Sequence, residues 1–101
     1  MVLEMAHLDI KPGMESAFEA GVARALQFFK AARGCHGVEL HRSVETPTHY
    51  ILMVTWETVE DHMVHFRPSQ NFQEWRKCVG DYFAVTPTVG HTTVVGPSFK
   101  Q

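Results

Sequence analysis

Apolar residues follow two rhythms along this chain. Val2 to Ile10 is apolar on both parities and closes on Lys11-Pro12-Gly13, which predicts a strand ended by a turn. From about Met14 to Arg33 the spacing changes. Met14, Phe18, Val22, Leu26 and Phe29 recur at helical intervals with Ala17 and Ala25 on the same side, and Gly34 supplies the stop. Val38 to Val44 and Tyr50 to Trp56 return to the strand pattern, joined by the short polar connection Glu45-Thr46-Pro47-Thr48 as a hairpin. Thr58 is a good helix N-cap with Asp61 three residues on, an acidic variant of the capping box, and a helix follows to about Phe66. Arg67-Pro68-Ser69 interrupts it. A second helical segment carries Phe72, Trp75, Val79 and Phe83 until Thr86-Pro87, and Thr88 to Val95 is a last strand before a short tail.

The predicted order is β-α-β-β-α-β, an α+β ferredoxin-like arrangement with both helices on one face of an antiparallel sheet. The other face poses a question. Ile51-Leu52-Met53-Val54 is apolar on both parities, whereas a sheet with one wet face alternates. A chain this short has no third layer to offer, so the expectation is a second copy, sheet against sheet, in a homodimer. The competing reading is a monomer whose open face tolerates scattered apolar residues.

At 101 residues the chain fits one domain, residues 1–101, with a thin core. A composition of 45% hydrophobic and 20% charged residues is that of a globular protein and excludes disorder. The net charge of -2 points to no partner, and nine dispersed Lys and Arg leave no footprint for nucleic acid. Cys35 and Cys78 are far apart and form no C-x-x-C, which fits a reduced cytoplasm. Glu4 and His7 interrupt the apolar run a signal peptide needs, and no segment approaches a membrane span in length.

Candidate chemistry gathers between Trp56 and Trp75. Trp56, Phe72 and Trp75 can wall a flat pocket, and His62 or His65 can place a group in it that titrates near neutrality. Helical geometry puts His62 at the edge of the stripe formed by Val59, Met63 and Phe66 and leaves His65 farther round. Arg76 and Tyr82 are candidate oxyanion donors. The seven histidines also raise a metal site, with His41 and His49 on the two arms of the hairpin and His7 on a neighbouring strand. Neither H-x-x-x-H nor H-E-x-x-H is present, and the expectation is no metal.

Three stretches carry a family resemblance: Leu8-Asp9-Ile10-Lys11-Pro12-Gly13, Arg33-Gly34-Cys35-His36-Gly37-Val38-Glu39-Leu40, and Trp56-Glu57-Thr58 followed by His65 and Phe72. In their order and separation the chain resembles the antibiotic biosynthesis monooxygenase domain family across nearly its whole length. That resemblance implies a dimeric α+β barrel and, for several members, oxygenation of phenols or quinols without a cofactor. It also points His65 inward, as the catalytic base or oxyanion donor, with Trp56, His62, Phe72, Trp75, Arg76 and Tyr82 around a small aromatic substrate and molecular oxygen. A non-catalytic binder of small aromatics and a non-oxidative isomerase are the alternatives on the same scaffold. Haem-degrading members carry an Asn on the first strand, a Trp on the second helix and a His after it. This chain has Ala6, His65 and Trp75 or Arg76 near those places, so haem degradation is not expected.

Overall fold

A computed structural model describes residues 1–101. Strands β1 (Val2–Asp9), β2 (Cys35–Arg42), β3 (His49–Trp56) and β4 (Thr88–Thr92) form one sheet in the order β2-β3-β1-β4, antiparallel throughout. Helix α1 (Glu15–Lys30) follows β1. Between β3 and β4 lie a π-helical turn (Asp61–Phe66), helix α2 (Gln70–Val79) and a short 3-10 turn (Gly80–Tyr82). This is the ferredoxin-like α+β fold that the alternation of patterns predicts.

Register explains which side chains are buried. Glu4, Ala6 and Leu8 on β1 pair with Val54, Leu52 and Tyr50 on β3, and all six point to the helical side. Phe18, Val22, Ala25 and Phe29 on α1 and Trp75 and Val79 on α2 close over them. The helices approach closely because Gly21 lacks a side chain: a Cβ there would stand 2.5 Å from the Cys78 carbonyl oxygen. Burying Trp56, Tyr50, Phe18 and Leu8 removes large apolar surfaces from water, each worth roughly 1.5–3 kcal/mol.

The strand boundaries that differ most from the sequence pattern are the start of β2 and the end of β4. Strand β2 begins at Cys35 rather than Val38, because a bulge between Cys35 and Gly37 lets pairing with β3 start at the turn itself. Strand β4 stops at Thr92 rather than Val95, since its pairing partner β1 runs out: Leu3 faces Thr92, and Val2 is the first residue of β1. On the face away from the helices, Leu3, Met5, Ile51 and Met53 are half-buried and no other part of this chain covers them.

Candidate active site

A cavity of about 320 Å³ opens between sheet and helices. Strands β1 and β3 give its floor through Glu4, Ala6, Leu8 and Leu52, and the helical side gives His62, Phe66, Phe72 and Trp75. Arg67, Arg76, Phe83 and the Thr86–Pro87 segment complete it. Its walls are therefore largely aromatic and aliphatic, the usual character of a small-molecule site.

The π-helical turn decides which histidine enters. Thr58 caps the segment, its Oγ1 accepting the Asp61 N–H at 3.1 Å, as the capping pattern predicts. The turn then widens, with the Arg67 N–H donating to the His62 carbonyl five residues back at 2.9 Å. His62 and Phe66 are buried and face the cavity. His65 is exposed, on a polar dish formed with Arg33, His36, Glu57, Glu60 and Asp61. The expectation that His65 points inward is corrected: the side-chain stripe of Val59, Met63 and Phe66 already leaned towards His62. Tyr82 also lies outside the cavity lining, half-buried against the core after α2. Trp56 is fully buried behind His62, the two rings stacked at 5.2 Å and 15°. Phe72, Trp75, Arg76 and His62 do line the cavity.

The sequence reading missed Glu4. Its Oε1 accepts the Trp56 indole N–H at 2.9 Å and lies 3.3 Å from His62 Nε2. No buried side-chain polar atom lacks a partner, so Oε2, which makes no hydrogen bond, is the oxygen open to the cavity. Burial pushes the Glu4 carboxyl up to about 7, against the smaller downward pull of the Trp56 hydrogen bond and the Arg67 charge. Burial likewise pushes His62 down to about 4, helped by the charges of His91 and Arg67, so the ring is neutral at pH 7. His91 on β4 holds it, Nε2 to His62 Nδ1 at 2.7 Å. A neutral His62 can take the His91 hydrogen at Nδ1, while its Nε2 lies beside Glu4 Oε1 without a hydrogen bond between them. Parity could have found both missed residues. Glu4 shares its side of β1 with Ala6 and Leu8, and His91 shares its side of β4 with Val89.

The three histidines weighed as metal ligands do not converge. His7 and His49 approach at 3.4 Å, and His49 pairs with Asp9 at 2.8 Å, while His41 turns to Glu39 at 2.6 Å. No three His, Cys, Asp or Glu side chains gather as a metal site. No helix is long and apolar enough to cross a membrane.

The sheet and helices define an α+β protein of ferredoxin-like fold whose aromatic cavity holds a buried acid beside a histidine. Residues 1–77 match the antibiotic biosynthesis monooxygenase family, and the chain belongs to it. A Bordetella bronchiseptica protein assigned to the same family is 56% identical, with a TM-score of 0.92 over 93% of this chain and 96% of that one. The uncharacterised protein YczJ of Bacillus subtilis (strain 168) is 37% identical over 91 residues, which is 90% of this chain and 96% of that protein. At the level of fold, SnoaB of Streptomyces nogalater, a cofactor-independent oxygenase, matches with a TM-score of 0.79 and 18% identity over 95% of this chain and 94% of that one.

Proposed function

We propose that this protein is a cofactor-independent monooxygenase acting on a small phenolic or quinol substrate, with Glu4 as its base. One observation carries the reading: a buried carboxyl that titrates near neutrality opens one oxygen into an aromatic cavity. Family membership and the oxygenase activity of SnoaB, which shares the fold, support it. Oxygen reacts poorly with closed-shell molecules but accepts an electron from an electron-rich anion. The protein's work is to make that anion, hold it and keep water away.

In this reading Glu4 Oε2 takes the substrate proton, and Arg67 stabilises the oxyanion that remains. The anion passes one electron to oxygen, and the resulting radicals combine into a peroxide at the ring carbon. Glu4 returns its proton to that peroxide, and loss of water then leaves a carbonyl, so a phenolic O–H, a ring C–H and O₂ become two C=O groups and H₂O, with the substrate as the reductant. His62 and Trp56 position Glu4 from behind. The protein acts as a homodimer closed over Leu3, Met5, Ile51 and Met53, in a reducing cytoplasm where Cys35 and Cys78 remain free thiols.

The test is oxygen uptake with a panel of anthrones and reduced naphthoquinones, on protein shown to be free of metal, flavin and haem. Uptake should scale with protein concentration. In Glu4→Gln it should fall about 10²-fold or more while ligand affinity holds, because glutamine still accepts the Trp56 N–H. His65→Ala should leave it within about twofold. No uptake above background from any substrate would end the oxygenase reading, and binding without uptake would favour a carrier or an isomerase.

A further inference from the structure

Arg67 and Arg76 line the cavity without a carboxylate in ion-pair reach. Elsewhere the chain pairs its arginines: Arg33 meets Asp61 at 3.4 Å, and Arg42 meets Glu19 at 3.6 Å and Glu15 at 4.0 Å. Arg24 is unpaired too and, like Arg67 and Arg76, exposed, but it lies on α1 outside the cavity lining. The cavity arginines rest on aromatic rings instead. Arg67 Cζ lies 5.1 Å from the Phe72 centroid, and Arg76 Cζ lies 6.0 Å from Phe72 and 5.9 Å from Phe83. Packing against a ring leaves the edge of a guanidinium, where its N–H donors are, free for an acceptor. With eleven Asp and Glu in a chain of net charge -2, acidic partners are not scarce. Glu4 is nonetheless the one acidic residue in the lining, and it is engaged with Trp56 and His62.

The two cations are not equivalent. Arg67 follows the turn that carries His62, and its charge is felt at both Glu4 and His62. Arg76, one element later on α2, packs against Phe83 as well as Phe72, the ring it shares with Arg67. A ligand that satisfies both brings two anionic oxygens, one beside Glu4 and Arg67 and one at Arg76.

We propose that the substrate is an aromatic carboxylate, its ring hydroxyl beside Glu4 and Arg67 and its carboxylate received by Arg76. This rests on the reading of the cavity as the substrate site and narrows its substrate class. The match is chemical: a guanidinium fork presents two parallel N–H donors at the spacing of carboxylate oxygens, and each charge-assisted bond is stronger than a neutral one.

Titration calorimetry with 2-naphthoate and 2-naphthamide tests it. The two share a ring system and size and carry no oxidisable hydroxyl, so binding is read apart from turnover. Wild-type protein should bind the acid at least about tenfold more tightly than the amide. Added salt should weaken the acid selectively. In Arg76→Gln, an exposed substitution whose fold circular dichroism checks, the preference should collapse to about twofold or less while amide affinity stays unchanged. Arg67→Gln should keep most of the preference. Equal affinities in the wild type, or no binding of either ligand, would overturn the proposal, and a preference that survives Arg76→Gln would overturn the assignment of Arg76. Acid preference without oxygen uptake would leave this inference standing and remove the oxygenase, whereas uptake from neutral quinols with no acid preference would do the reverse.

Discussion

Glu4 and His62 touch, yet they pull the stability of the protein in opposite directions as pH changes. Glu4 stands at about 7 against an ordinary 4.5, and His62 at about 4 against an ordinary 6.5. As pH rises from 4.5 to about 7, the unfolded chain has released the Glu4 proton while the folded chain retains it, so Glu4 makes stability fall. From about 4 to 6.5 the unfolded chain carries a His62 proton that the folded chain refuses, so His62 makes stability rise. Each slope is at most about 1.4 kcal/mol per pH unit, and across their overlap they oppose. The charges facing the pair, His91 from β4 and Arg67 beyond the turn, are present in every variant. Relative to the wild type, Glu4→Gln should gain stability as pH climbs through 4.5 to 7. His62→Phe, which keeps an aromatic ring on Trp56, should lose it from pH 4 to 6.5. Denaturant melts at half-unit pH steps read both, and curves parallel to the wild type would sink the idea.

The elements that carry the site depend on one turn. Gly34 has φ +75°, in the left-handed region, and a Cβ there would run into the Asp61 carboxylate. Its carbonyl accepts the Glu57 N–H at 2.7 Å, so the turn after α1 grips both ends of the segment leading into the π-helical turn. Gly34→Ala should cost on the order of 1–3 kcal/mol and weaken ligand binding, because His62 and Phe66 move with Asp61. Chemical denaturation and calorimetry on the same preparation test this, and unchanged affinity in a destabilised variant would separate the turn from the cavity. The strands and α1 were legible because their apolar spacing is regular over seven residues or more, Tyr50 to Trp56 being the plainest case. The π-helical turn was not, since a widened turn departs from the spacing on which the eye relies, and the family resemblance then drew attention to His65. Glu4 was hidden by its chemistry: a carboxylate reads as a solvent residue until the register of β1 puts it beside Ala6 and Leu8.

For the whole molecule the open sheet face is the main unsettled surface. Leu3, Met5, Ile51 and Met53 form its apolar middle, with Met5 directly opposite Met53, and the segment after β4 leaves Val94, Val95 and Phe99 in solvent. A small chain that exposes this much apolar surface gains by pairing. Sedimentation equilibrium should return twice the chain mass for the wild type. Met53→Glu, which leaves the core side of β3 untouched, should return a single chain with native circular dichroism and a lower Tm. A wild type that stays monomeric at high concentration would refute pairing through this face.

The stacking of Trp56 on His62, with its indole N–H on Glu4, has one more consequence. An indole is a fluorophore, its emission is quenched by a charged imidazole against it, and its colour follows the field at its N–H. Replacing Trp75 with phenylalanine leaves Trp56 as the single indole in the chain, excited apart from the two tyrosines at the red edge of the absorption band. The protein thus holds an unlabelled optical indicator wired to its acid and its histidine, able to report their protonation in real time while a ligand enters.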